Sequence, residues 1–284
     1  MKTGRIIAIV LTALLFTHPP SSLAGEGIHV VTTISPLRTF VNILLRGVPD
    51  VRIDLLIPDG SDPHSFSLTP SRALLLTRAD IVVGNGGAEE VLDFAKVRDL
   101  AGERLLLTLP LLQKEGLTGR NPHTWLSPKA SAREVEIIGE RLSRLLPGET
   151  ARIRGNASFF RKEMESALEE MKERLGGKKI CIVSLHGAFD LLARDLGIPV
   201  AGRILPGHGV PPSPRHLVSL AEKARSLGNP VVVVDSPAGR DAAESFSRLA
   251  DIPAVEASPF PPDVDNPGEY RRWLVQVVEK ITGL

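Results

Sequence analysis

Two short loops share one pattern, in which a proline is followed by a histidine, one further residue and an aromatic residue. The first reads DPHSF at residues 62–66, and the second reads NPHTW at residues 121–125. Proline fixes its own backbone and disfavours helix in the residue before it, so each loop is predicted to be a stiff turn that aims its imidazole. Because the chain has only seven histidines, the matching positions of His64 and His123 indicate a shared target.

Two further side chains able to bind a metal follow predicted strands. His186 ends the run Ile182-Val-Ser-Leu-His186, and Asp235 follows the four valines 231–234. Ligands of open parallel sheets bind outside the carboxyl ends of the strands. A lone histidine there is more often a hydrogen-bonded surface or core residue, but chance would also scatter histidines over helices. We therefore predict that these two side chains and the two loop histidines meet in one metal-binding cleft.

The predicted ligand set favours zinc. Three imidazoles and one carboxylate suit the four tetrahedral positions of Zn²⁺, whereas Mn²⁺ prefers more oxygen ligands. The single cysteine, Cys181, lies in an apolar run and is predicted to be a small buried strand residue rather than a ligand. The sequence contains no HExxH, CxxC or GxxxxGK[ST] motif that would indicate another kind of site.

The segments that must position these residues alternate between strand-length apolar runs and helical patterns, which is typical of parallel α/β sheets. The pattern predicts an α/β fold with two lobes, each a four-stranded, largely parallel sheet flanked by helices. Residues 149–175 carry apolar positions three or four apart and predict one long α-helix that bridges the lobes. Strands are predicted at 29–34, 51–57, 80–83, 104–109, 179–184, 199–205, 231–234 and 254–257. The predicted domains are an N-terminal lobe at 25–147, a linking helix at 148–177 and a C-terminal lobe at 178–284.

Residues 1–24 have the pattern of a secretory signal peptide. Lys2 and Arg5 precede the apolar run 6–16, and residues 22–24 form a small-x-small cleavage site at Ala24. The apolar run is too short for a membrane span of roughly 20 residues. No cysteine stands at the cleavage site, so we expect a periplasmic protein without a lipid anchor. Cleavage would change the formal charge from +1 to −1, and the scattered basic residues argue against nucleic-acid binding.

The sequence resembles the periplasmic solute-binding proteins of zinc and manganese ABC importers, the cluster A-I metal-binding family. The matching segments, in order, are DPHSFSLTPSRALLLTRADIVVGNG, NPHTWLSP, SLHGAFDLLARDLGIPV and PSPRHLVSLAEKA. The resemblance implies two small α/β lobes joined by a rigid long helix, with the metal between the lobes. It places three of the family's ligands on His64, His123 and His186. A histidine rather than a glutamate at position 186 is similar to the zinc-type members.

The chain departs from the family pattern at two positions near the expected site. Asn121 stands where the family usually has aspartate, which bears on the hydrogen bond that orients a neighbouring histidine. The family's fourth ligand is commonly an aspartate in a motif resembling LDPLG, but the stretch 255–259 here reads VEASP. The fourth ligand is therefore open among Asp235, Glu256, His208 and water, and we favour Asp235 for its strand-end position.

Together these features predict a periplasmic high-affinity zinc-binding protein that delivers Zn²⁺ to the permease of an ABC-type importer in the inner membrane. We expect a monomer that is not an enzyme and binds no nucleic acid. The alternative is a zinc-dependent hydrolase that uses the same three histidines with a catalytic water. The local motifs place no obvious general base beside a histidine, which argues against it and leaves only Asp62 and Glu256 as candidates. A third class is a nucleotide- or sugar-binding α/β protein in which the histidines only form hydrogen bonds.

Overall fold

A computed structural model describes residues 27–59, 66–87, 94–206, 211–236 and 239–283. The predicted signal peptide and the predicted site positions Asp62, His64 and His208 lie outside these ranges. Among the described helices, none combines the length and the apolar character that a membrane crossing needs.

Two separate four-stranded sheets form the framework of the described chain. Their strands are β1 (Ile28–Thr32), β2 (Val51–Leu55), β3 (Ile81–Gly84), β4 (Leu105–Leu107), β5 (Cys181–Ser184), β6 (Val200–Arg203), β7 (Pro230–Val234) and β8 (Ala254–Glu256). The strand orders are β2-β1-β3-β4 and β6-β5-β7-β8, and all pairs are parallel. The predicted pair of parallel sheets is therefore confirmed.

Helices connect the strands and cover the sheets. They are α1 (Ser35–Leu44), α2 (Pro70–Arg78), α3 (Phe94–Ala101), α4 (Leu109–Lys114), α5 (Pro128–Leu145), α6 (Thr150–Leu175), α7 (Asp190–Leu196), α8 (Pro214–Leu227), α9 (Arg240–Ala250) and α10 (Pro267–Thr282). Many begin with proline in the first turn, where the missing N–H would have no helical partner in any case. The predicted bridging helix is α6, which is 26 residues long.

Four predicted strands, at 29–34, 51–57, 104–109 and 199–205, extend two residues past the ends of the observed strands. The apolar run 104–109 does not continue as a strand, because β4 stops at Leu107 and α4 begins at Leu109. Pro110 cannot donate to a strand ladder but is suited to the first helical turn, so it directs the chain into a helix that the apolar pattern does not predict.

The long helix α6 packs against helices of both lobes, namely α1 and α5 on one side and α7 and α10 on the other. Its buried positions recur at helical spacing, and Phe160 lies at the centre of an aromatic cluster. The ring centroid of Phe160 is 5.5 Å from that of Phe40 in α1 and 5.2 Å from that of Tyr270 in α10. One hydrophobic core thus extends from one sheet to the other through α6, and a second cluster is confined to the C-terminal lobe. The predicted domain boundaries at 147/148 and 177/178 stay a prediction, since this core is shared.

Asn156 explains why α6 continues past a weak helical stretch. Glycine and asparagine at 155–156 have low helix propensity. The side-chain amide of Asn156 donates to the carbonyl oxygens of Leu44 and Arg46 at 3.0 and 3.1 Å. These carbonyls lie at and just beyond the end of α1, where helical partners are missing. Tertiary contacts therefore compensate for the low local propensity.

Replacing Phe160 by alanine should lower the free energy of unfolding by about 3–5 kcal/mol, because the substitution leaves a cavity at the junction of both lobes. Chemical denaturation followed by circular dichroism measures the change. The matched control is Phe159→Ala on the same helix, since Phe159 is 45% exposed, and its effect should stay within about 0.5 kcal/mol. Equal effects of the two substitutions would contradict the shared core.

Candidate metal centre

The loop that carries His123 is held rigidly against the N-terminal sheet. Asn85, the residue after β3, donates through its side-chain amide to the carbonyl oxygen of Pro122 at 3.0 Å and to Oγ1 of Thr124 at 3.2 Å. The buried ring of Trp125 packs edge-on against the imidazole of His123, with 5.3 Å between ring centroids. The predicted stiff turn is therefore braced on both sides of the histidine.

Asn121 determines which nitrogen of His123 carries the proton. Its Nδ2 donates to the carbonyl oxygen of Gly187 at 2.9 Å, which leaves Oδ1 as an acceptor. That oxygen accepts from the backbone N–H of His123 at 2.9 Å and lies 2.8 Å from Nδ1 of the ring. Nδ1 is therefore the donor, and Nε2 of His123 presents a lone pair.

His186 is oriented in the same way from the other lobe. It follows β5, and Asp235 follows the neighbouring strand β7 at the point where the order of the C-terminal sheet changes direction. Oδ1 of Asp235 lies 2.9 Å from Nδ1 of His186. A carboxylate only accepts hydrogen bonds, so Nδ1 donates and Nε2 of His186 also presents a lone pair.

The two Nε2 atoms meet across the cleft between the lobes at a distance of 3.3 Å. The ring centroids are 5.1 Å apart, with 64° between the ring planes. Two ring nitrogens this close need either a proton or a metal cation between them. A zinc ion with bonds of about 2.0–2.1 Å and tetrahedral angles would hold neighbouring nitrogens about 3.3 Å apart. The spacing of the two imidazoles therefore fits two ligands of one tetrahedral metal ion.

Asp235 adds a buried negative charge to this arrangement. Its side chain has no exposed surface, and its second oxygen, Oδ2, has no hydrogen-bond partner within the ranges that the structure describes. A carboxylate that is buried and only partly hydrogen-bonded favours a nearby cation. Its bonded oxygen faces Nδ1 rather than Nε2, so it supports the ring from behind. Direct ligation of the metal by Asp235 stays a prediction.

The structure brings three of the four predicted site residues together, namely His123, His186 and Asp235. His64 lies outside the described residues. Within the described ranges, no group of three or more histidine, cysteine and acidic side chains has a geometry that could hold a metal. Glu256, an alternative fourth ligand, is half exposed and forms an ion pair with Arg240 instead.

Cys181 is confirmed as a buried residue of β5, with a free thiol. Burial raises the pKa of this thiol above its usual value. The thiolate that metal ligation requires is therefore disfavoured at this position.

Sequence reasoning did not identify the supporting role of Asn85 or the link from Asn121 to the opposite lobe. In the sequence, Asn121 is a departure from the family pattern that bears on the orientation of a neighbouring histidine. The amide of Asn121 bonds to Gly187, which is 66 positions away in the chain. A local motif therefore carries no signal for this contact.

A family model described as ZnuA, the periplasmic component A of a zinc-uptake complex, matches residues 30–283. The chain belongs to this family. The match covers every strand of both sheets except the first positions of β1, and it includes each described site residue.

Relatives of the chain are named for metal binding. The zinc-binding protein TroA of Treponema pallidum is 29% identical over 217 residues, which cover 71% of this chain and 70% of TroA. The zinc-binding lipoprotein AdcA of Streptococcus pneumoniae is 24% identical over 99% of this chain, which spans 60% of the length of AdcA. The solute-binding protein FpvC of Pseudomonas aeruginosa, solved with Ni²⁺, has a TM-score of 0.75 at 22% identity, covering 91% of this chain and 96% of FpvC. The structural likeness confirms the fold that a family member is expected to have.

Replacing Asp235 by asparagine should weaken Zn²⁺ binding by roughly 10- to 100-fold, because the neutral amide holds Nδ1 of His186 less firmly than the carboxylate does. Competition with a chromogenic chelator measures the affinity. The absorption spectrum of the Co²⁺ form should keep its four-coordinate pattern, since Asp235 lies behind the ring. The exposed Asp241→Asn on α9 serves as the control with unchanged affinity. A changed coordination spectrum would instead identify Asp235 as a direct ligand.

Proposed function

We propose that this protein is the periplasmic zinc-binding component of an ABC-type importer, which captures Zn²⁺ in the cleft between its lobes and delivers it to the membrane permease. Family membership supports the transport role. Capture and delivery require no covalent step, so the site has to bind and later release its ion without reacting with it.

The observation that carries this proposal is the approach of the two Nε2 atoms across the cleft. In each ring, Nδ1 donates a hydrogen bond to an acceptor of the same lobe. The acceptor is Asn121 for His123 and Asp235 for His186. Both rings therefore donate through Nδ1, and Nε2 is the ring nitrogen left to ligate a metal. Groups already held in the bound geometry lose little conformational freedom when the ion arrives, which favours high affinity.

His64 is proposed as the third ligand. It belongs to a loop of the same Pro-His type as that of His123 and follows β2 in the sequence. Three imidazoles leave one tetrahedral position. We assign that position to a water molecule, because Asp235 is engaged by His186 and Glu256 by Arg240.

Zinc is the proposed cargo, with manganese the weaker candidate. The names of TroA and AdcA refer to zinc, whereas the structure of FpvC contains Ni²⁺. A site dominated by imidazole nitrogen suits zinc and nickel better than manganese, which prefers oxygen. Binding competition between Zn²⁺ and Mn²⁺ on the purified protein shows which metal binds more tightly. Zn²⁺ should displace Mn²⁺ completely at equal concentrations.

Alanine substitution of His64, His123 or His186 should each abolish tight Zn²⁺ binding, because two remaining imidazoles hold the ion only weakly. Equilibrium dialysis with Zn²⁺ measures both stoichiometry and affinity. The control is His216→Ala, since His216 lies at the start of α8 and its ring bonds to the carbonyl oxygen of Arg203. Unchanged stoichiometry in all three site variants would refute metal capture.

The hydrolase alternative is tested on the same preparation. The Zn²⁺-loaded protein should show no turnover of generic ester and peptide substrates above that of the His186→Ala variant. Zinc-dependent turnover that disappears in this variant would replace the transport proposal with hydrolysis.

A further inference from the structure

We propose that Asn121 is a positioning residue that connects the two histidines of the metal centre across the cleft and holds the cleft closed before metal binds. This inference rests on the proposed function, because it concerns how the same site is prepared for its ion. Asn121 is described above as the acceptor for His123, but its amide has a second role in the opposite lobe.

The side chain of Asn121 uses both ends at the same time. Oδ1 accepts from the backbone and from Nδ1 of His123, at 2.9 and 2.8 Å. Nδ2 donates to the carbonyl oxygen of Gly187 at 2.9 Å. Gly187 directly follows His186, so one amide group is bonded to His123 itself and to the neighbour of His186. This amide therefore links the two histidine loops directly across the cleft.

The partner of Asn121 in the C-terminal lobe is itself firmly held. Gly187 has a φ of +100°, which side-chain-bearing residues rarely adopt. Its N–H donates to Oγ of Ser184 at 2.8 Å. A Cβ at this position would lie 2.5 Å from Nε of Arg203, whose guanidinium is paired with Asp190. The carbonyl oxygen of Gly187 therefore offers Asn121 a fixed acceptor.

Only an amide side chain of this length can make both contacts. An aspartate would keep an acceptor for Nδ1 of His123, but it has no donor for Gly187, and its second oxygen would face the carbonyl oxygen of that residue. An alanine would make neither contact. Replacing Asn121 by each of these residues therefore separates the orientation of His123 from the closure of the cleft.

Other polar contacts also join the lobes. One lies beside the histidine loop, where the indole N–H of Trp125 donates to the carbonyl oxygen of Pro259 at 2.6 Å, and others lie away from it. The amide of Asn42 in α1 donates to Oδ1 of Asp263 at 2.8 Å on the exposed surface. This contact also crosses between the lobes, but it touches neither histidine loop. Asn42→Ala is therefore a matched control for the loss of one interlobe hydrogen bond.

The closure is tested by the distance between spin labels on metal-free protein, attached at Glu103→Cys and Glu222→Cys. Glu103 and Glu222 are exposed and lie in different lobes, and the native Cys181 is buried and need not be removed. The parent protein and Asn42→Ala should show the same single, narrow distance distribution. Asn121→Asp and Asn121→Ala should both show a longer and broader distribution, because both lack the donor to Gly187.

The orientation of His123 is tested by ¹H–¹⁵N correlation of the imidazole nitrogens in the metal-free protein. The Nδ1–H tautomer should dominate in the parent protein and in Asn121→Asp, whereas Asn121→Ala should show a mixture of tautomers. Zn²⁺ affinity should fall by roughly 10- to 100-fold in Asn121→Ala, the range seen when groups that orient metal ligands are removed.

Unchanged spin-label distances in Asn121→Asp would overturn the closing role of Asn121, and an unchanged tautomer in Asn121→Ala would overturn its orienting role. Both results are independent of the proposed function. If His64→Ala, His123→Ala and His186→Ala all still bind Zn²⁺ fully, metal capture fails. A different result would reject only the role of Asn121. In that case His186→Ala loses Zn²⁺, but the Asn121 variants keep the parent spin-label distance and the Nδ1–H tautomer of His123.

Discussion

The proposed capture of a metal ion depends on the approach of two imidazole nitrogens from different lobes to 3.3 Å. Metal–ligand distances tolerate deviations of only about 0.2 Å, so two parts of the chain must be fixed relative to each other with that accuracy. Neither lobe can meet this requirement alone. Each lobe supplies one ring and one acceptor for its Nδ1, and the geometry of the site is therefore a property of the interface between the lobes.

The hydrophobic core extends to the metal centre through Tyr270. This residue is fully buried in α10, where its ring packs against Phe40 and Phe160, and its hydroxyl group donates to the carbonyl oxygen of Trp125. Burial raises the pKa of Tyr270 well above its usual value, so the phenol stays protonated and remains a donor. Because the ring of Trp125 contacts His123, packing along α6 determines the position of a proposed metal ligand.

The fold could be predicted from the sequence because its signals are local. Apolar runs, helical spacing and initiating prolines lie within short segments, and they indicate the eight strands and the bridging helix. The wrong prediction at α4 also has a local cause, because Pro110 starts a helix within an apolar run whose pattern otherwise predicts a strand. Strand-end position likewise predicted the meeting of His186 and Asp235, since neighbouring parallel strands end at the same edge.

The finer structure of the site could not be predicted in this way. Asp235 was favoured as a metal ligand from its position alone, but position does not show which atom it faces, and its carboxylate bonds to Nδ1 of His186. The direction of the Asn121 amide likewise depends on Gly187 in the other lobe. Both features arise from contacts between segments that only tertiary packing brings together.

The distribution of these contacts also limits how the bound ion can leave. Separating the lobes completely would expose the core around α6, at a cost of about 25 cal/mol for each Å² of apolar surface. The cleft itself is closed by polar contacts, including those from Asn121 to Gly187 and from the indole N–H of Trp125 to the carbonyl oxygen of Pro259. Water can replace such polar partners but cannot replace apolar packing, so opening at the cleft costs far less than opening at the core. Opening at the cleft with the core around α6 intact is therefore favoured over complete separation of the lobes.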